Sequence, residues 1–319
     1  MRGKRRKERM ILKNATLHIG NGEVFQGDMR IADGKIVEVG KNINGDESRS
    51  LNGKHVFPGF IDSGNFLGAQ DMAFFAKDYN ENSNPVTPYL DIWHSIDPDE
   101  LSLQELYKAG ITSMLVTPGN EGILGGTCTV VKTKGKNINK ITVKRDAAMK
   151  ASMTSEVIRV FSGKGSPQTP MALIAMLKTA LQTTEYANDY RSQRTKEVMD
   201  AVREGRMPIL VACETAPEME RFLEATKEYT KMKIIFTLSY EADRCADAIK
   251  KRGAAVVLGD TSRNATHLVH RMDFAKLMNM AEDGTKVGLT VLGPNMAWGR
   301  EMLLWNASKL MQTCTNSEE

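Results

Sequence analysis

The chain has 319 residues, 41% of them hydrophobic and 26% charged, enough to bury a large core and to build about two domains. Its formal net charge of +4 is concentrated in the leader MRGKRRKERM at positions 1–10, so the remainder is close to neutral and argues against a nucleic-acid-binding surface. No run of about 18 apolar residues is available to span a membrane, and Lys13, Asn14 and His18 interrupt the segment that follows the leader, which reads against a signal peptide.

Residues 1–10 are expected to form a disordered basic leader, with a start at Met10 as the alternative. From 11 to 57 the pattern is β. Apolar pairs around Ile11 and Leu17 precede the breaker Gly20-Asn21-Gly22, and two short alternating runs flank Asp33-Gly34, a hairpin turn that needs φ > 0. Short strands at this spacing predict a small β-sandwich-like domain. After Pro58 the rhythm changes. A helix over 101–109, stopped by Gly110, feeds the apolar run ITSMLV at 111–116. The glycine-rich stretch 119–126 lacks the spacing of a phosphate loop and reads as a tight turn. A charged helix is expected over 185–204. A strand over 208–213 leads into the capping-box sequence TAPE at 215–218, and a strand over 233–238 into a helix closed by Gly253. A strand at 254–258, a helix at 268–280, a strand at 287–292 and a helix at 301–311 follow. Buried strands alternating with amphipathic helices predict an α/β fold, a (β/α)8 TIM-like barrel over 58–312 with a tail at 313–319.

The sequence VFPGFID at 56–62 resembles the start of the first barrel strand of the amidohydrolase superfamily, which reads PGxIDxHxH. The segments NPVTPYL at 84–90, AGITSMLVTPG at 109–119 and ILGG at 123–126 are similar to the imidazolonepropionase-related bacterial amidohydrolases, and the likeness covers most of 11–311. It implies hydrolysis of carbon–nitrogen bonds at a metal centre. In this chain, however, Gly64 and Phe66 occupy the positions of the two histidines, and neither side chain can coordinate a metal. By the same register Ala212, Leu238 and Gly293 stand where later strands carry ligands.

The histidine census agrees. His18 and His55 belong to the β-rich part, His94 to a loop, and His267 with His270 to one helical face that offers no third ligand. The four cysteines, Cys128, Cys213, Cys245 and Cys314, form no CxxC pair, the pattern of reduced cytoplasmic thiols packed as small core residues. No metal or cofactor is expected. The expected function is therefore that of a noncatalytic homologue, a small-molecule binder or the partner of a related amidohydrolase, acting as a homo-oligomer or heteromer. The alternative is a C–N hydrolase with a rebuilt, metal-free site. Its candidate acid–base groups are Asp62, Glu214 and Glu241 at strand ends, which read equally as helix caps or ion-pair partners.

Overall fold

The computed structural model describes residues 9–45, 47–70, 77–259, 272–291 and 302–315. Residues 1–8 of the leader, Gly293, His267 and His270 lie outside that set. The chain divides into two compact units, Met1–Phe60 and Ile61–Glu319.

In the first unit β1 (Arg9–His18) pairs antiparallel with β2 (Val24–Ala32), which pairs antiparallel with β3 (Lys35–Gly40). The Asp33-Gly34 turn has φ of 51° and 74°, as a two-residue hairpin with both central residues left-handed requires. β4 (Ser48–Ser50) and β5 (His55–Val56) both add parallel to β1. The result is one five-stranded sheet of mixed direction. Ala15, Leu17 and Met29 form its small core. Two residues assigned to the leader, Arg9 and Met10, already belong to β1 and pair with Ala32 and Ile31.

The second sheet has eight strands in the order β13-β12-β11-β10-β9-β8-β7-β6. In chain order they are β6 (Phe60–Asn65), β7 (Ile111–Val116), β8 (Leu124–Lys132), β9 (Thr142–Ser152), β10 (Ile209–Cys213), β11 (Ile234–Leu238), β12 (Ala255–Leu258) and β13 (Val287–Leu289). Helix α1 (Leu101–Lys108) connects β6 to β7, and the single-turn α2 (Ile138–Ile141) precedes β9. From β9 onward the strands are parallel, as expected for alternating strands and helices. Between β7 and β9 the expectation fails. β8 runs antiparallel to both neighbours, and no helix separates β7 from β8. Glycines make that direct return possible. Gly126 holds φ +108°, and a Cβ there would lie 2.7 Å from the Leu90 carbonyl oxygen, so the 80–97 segment packs onto β8 where a helix would otherwise lie.

Helices α3 (Ser155–Phe161), α4 (Pro170–Gln182), α5 (Tyr190–Arg203), α6 (Ala216–Ala225), α7 (Ala246–Arg252), α8 (Phe274–Glu282) and α9 (Met302–Thr315) complete the unit. α5 starts five residues later than expected because Asp189 accepts a hydrogen bond from the Ser192 N–H and caps it there. It is also not a wholly solvated face, since Val198, Met199 and Val202 are buried in the core. α8 starts at Phe274 under the Asp273 cap, and α9 runs through to Thr315. Period-two alternation divides each inner strand between two environments. Ile209, Val211, Phe236 and Leu238 pack with Leu177, Met219, Phe222 and Ile249 of the helices, whereas Leu115, Cys128, Ala148, Leu210 and Ile235 pack together inside the barrel.

Candidate functional site

Asp62 lies on β6, wholly buried, and joins the two ends of the eight-stranded sheet. Its Oδ1 accepts from the Gly64 N–H at 3.0 Å and from the Thr290 hydroxyl at 2.8 Å, and its Oδ2 accepts from the Val291 N–H at 2.8 Å. The sequence places Thr290 and Val291 in the last strand, but β13 ends at Leu289 and these two residues bond to Asp62 instead. Burial pushes the carboxyl above its usual range, against the hydrogen bonds from Val291, Gly64 and Thr290 that favour the charge. Of the three candidate carboxylates, this one closes the barrel.

Glu241 is likewise committed. It is 1% exposed, and its Oε2 accepts from the Ala216 N–H at the start of α6 while its Oε1 pairs with Arg244 at 3.1 Å. It is delivered there by a strained turn in which Leu238 and Ser239, neither of them glycine, hold φ of 69° and 44°.

Glu214 differs from both. It follows β10 at the same end of the barrel, half-buried, and its carboxylate has no hydrogen-bond partner among the described residues. Burial, followed by the negative charges of Glu218 and Glu156, pushes its carboxyl up to about 7. Glu218 is held by the N–H groups of Glu214 and Thr215 as the reciprocal half of the α6 capping box. Tyr79 completes the cluster. Burial and then the charges of Glu121 and Glu156 raise its hydroxyl to about 12, so it stays a neutral donor. Glu121 is buried and accepts from Lys77 at 3.1 Å and from Asn82 at 2.6 Å. Tyr79 stands in a loop outside every segment singled out in the sequence, and Glu121 falls in the glycine-rich stretch 119–126, which reads only as a tight turn.

Of the five positions expected to stand in place of metal ligands, four lie among the described residues. Gly64 has φ +151°, and a Cβ placed on it would meet Leu210 Cδ2 and Thr117 Cγ2 at 3.4 Å and Leu115 Cδ2 at 3.9 Å. Phe66 is buried and stacks on Tyr79 with ring centroids 3.9 Å apart. Ala212 is level with Ser152 on one neighbouring strand and Thr237 on the other. Leu238, expected to face the pocket, packs instead in the helix-facing core, because it shares a strand face with Phe236 rather than with Thr237. Gly293 lies outside the described residues. Among the described residues no group of three or more His, Cys, Asp or Glu side chains could hold a metal ion. The donors among the described residues therefore do not fit a hydrolytic metal centre, which needs about three protein ligands around an open position.

A Cβ at Gly64 would make ordinary van der Waals contacts, but the φ of +151° is one that L side chains rarely adopt. Gly64→Ala is accordingly expected to destabilise the protein by roughly 1–3 kcal/mol through backbone strain. A denaturant titration checks this, and an unchanged midpoint would show that the backbone at Gly64 relaxes to a conformation that alanine adopts freely.

No protein-family model matches the chain, and no curated protein is similar to it. Among solved structures it is similar to an amidohydrolase from Thermotoga maritima MSB8, with a TM-score of 0.85 and 21% identity over 95% of this chain and 83% of that one. A D-hydantoinase (TM-score 0.28, 13% identity, 88% of this chain and 52% of that one) and an N-acetyl-D-glucosamine-6-phosphate deacetylase from Mycobacterium smegmatis (0.28, 13%, 90% and 56%) also match, at scores that carry no argument. The first likeness shows the fold. The chain is built as that amidohydrolase is built, an eight-stranded barrel sheet with a second, smaller sheet.

Proposed function

We propose that the chain is a noncatalytic homologue of the amidohydrolases that binds a small polar ligand at the C-terminal mouth of its barrel. One observation carries this reading. A Cβ on Gly64, the first ligand position of the resembled motif, would have the carbon atoms of Leu210, Thr117 and Leu115 as its nearest neighbours. What the mouth offers instead is hydrogen bonding. Glu214 accepts, Tyr79 donates, and the surrounding carboxylates favour a neutral or cationic ligand. The test is metal analysis of extensively dialysed protein, paired with thermal melts in added zinc. The expected outcome is far less than one zinc, iron or manganese per chain and an unmoved melting temperature. A stoichiometric metal that survives dialysis would overturn the proposal.

A second reading is favoured by Glu214 alone. A carboxyl poised near neutrality with no committed partner is what a metal-free general base requires. That reading is a hydrolase of cyclic amides or related C–N bonds, and it requires turnover that disappears in Glu214→Gln.

A further inference from the structure

The direct return from β7 to β8 leaves a feature that the barrel mouth does not use. On that side of the barrel an open cleft of about 580 Å³ is lined by residues 78–81 and 89–95, by Arg145 and Asp146 of β9, and by the first turns of α5. Where β8 begins the lining is bare. Gly125 has no side chain, and a Cβ there would lie 3.3 Å from Pro118 Cβ. Tyr79 is the one residue that the cleft shares with the cluster around Glu214.

The charges of the lining do not balance. Four carboxylates stand against two guanidiniums and one imidazole, and both guanidiniums are already committed within the cleft. Arg145 Nε donates to Asp91 Oδ2 at 3.1 Å, and its guanidinium lies 4.3 Å from the Trp93 ring centroid. Arg194 is paired with Asp146 and, at 2.8 Å, with Glu197. That leaves Asp78 and Glu81, which form no ion pair among the described residues. The N–H and hydroxyl of Ser83, ahead of the charge of Lys164, hold the Glu81 carboxyl below its usual range, so it is ionised at neutral pH.

Tyr79, Tyr89 and Tyr190 supply rings to the same lining. Tyr79 is 6% exposed, yet its hydroxyl has no hydrogen-bond partner among the described residues. Tyr89 already holds a cation, since the Arg191 guanidinium lies 4.7 Å from its ring centroid. An anion entering the cleft would have to displace Asp91 or Asp146 from its arginine. A metal ion would need converging oxygen ligands, and no group of three or more carboxylates among the described residues provides them. An organic ammonium ion needs only a carboxylate for its charge and a ring face for its carbon chain.

We propose that this cleft binds a small aliphatic ammonium ion, its charge met by Asp78 and Glu81 and its chain lying against the tyrosine rings. The proposal stands on the cleft alone and not on the barrel-mouth reading.

Isothermal titration calorimetry of the full chain with putrescine, and with butanediol as its uncharged counterpart, tests it. Putrescine should bind saturably at one site per chain, and the diol at least about tenfold more weakly. The putrescine affinity should fall several-fold as salt rises from about 50 to about 300 mM. Combining Asp78→Asn with Glu81→Gln should weaken putrescine at least about tenfold at an unchanged melting temperature, because both side chains are exposed. No saturable binding, equal affinity for the diol, or an unchanged affinity in the double variant would overturn the proposal. Binding lost in Glu214→Gln but kept in the double variant would place the amine at the barrel mouth and overturn it as well. None of these failures touches the noncatalytic reading as long as the dialysed protein is free of metal.

Discussion

Replacing Asp62 by alanine is expected to lower the stability of the barrel by about 3–5 kcal/mol. The change removes one carboxylate and strands two backbone donors, while the Thr290 hydroxyl keeps its bond to the Gly64 carbonyl oxygen at 2.9 Å. The N–H of Gly64, the N–H of Val291 and the hydroxyl of Thr290 all point at Asp62 inside a fully buried site. A buried donor without a partner costs about 1–3 kcal/mol, and of the two backbone donors Gly64 lies on one end strand of the sheet and Val291 just past the other. For a domain of this size the melting temperature should fall by roughly 8 °C or more. Asp62→Asn should cost less, about 2 kcal/mol, because the amide oxygen can still serve Gly64 and Thr290 while its NH2 group confronts the Val291 N–H. Differential scanning calorimetry of both variants gives the comparison. Equal and small losses would mean that the ends of the sheet are held by packing rather than by this carboxylate.

The partner groups of Asp62 explain why it reads ambiguously in the sequence. It stands at the end of a recognisable motif, where a catalytic group and a structural one look alike. The partner that decides the matter, Thr290, is 228 residues away. Glu241 poses the same difficulty over a shorter distance, since the N–H it caps belongs to Ala216 on the preceding helix. Features set by local chemistry are legible. The Asp33-Gly34 hairpin, the Thr215 capping box and the left-handed Gly253 that ends α7 follow from side chains acting within a few residues of themselves. Strand direction is not legible. The apolar runs 111–116 and 124–132 bury equally well in a parallel or an antiparallel neighbourhood, so the β7-β8-β9 meander appears only once the 80–97 segment covers β8. The burial of Lys150, 2% exposed on β9, escapes for a related reason. A lysine between Met149 and Ala151 looks like the solvent side of a strand, but in a barrel the alternate face is the interior. That Gly64 and Phe66 offer no metal ligand is the part of the site most open to sequence, because glycine and phenylalanine side chains cannot coordinate in any fold.

Glu214→Gln is expected to stabilise the protein at alkaline pH and to do nothing at acid pH. The carboxyl stands at about 7 in the folded chain against an ordinary 4.5, raised chiefly by burial and then by Glu218 and Glu156. A folded value above the unfolded one means that the native state holds the proton more tightly. That contribution is complete below about pH 4.5 and is lost as the pH rises through about 7, because the buried site must then accept a charge that the unfolded chain carries freely. Glutamine has the same size and no charge to bury, so the variant escapes the loss. Allowing for solvent screening at a half-buried group, the gain at pH 8 should be about 1–2 kcal/mol, or a rise of a few degrees in melting temperature. At pH 4 the two proteins should melt together. Paired thermal melts from pH 4 to pH 9 read this difference directly. A variant less stable than the parent at pH 8 would show that the ionised carboxylate has a favourable partner. It would remove the ground for treating Glu214 as the uncommitted group of the barrel mouth, on which both the binding and the hydrolytic readings depend.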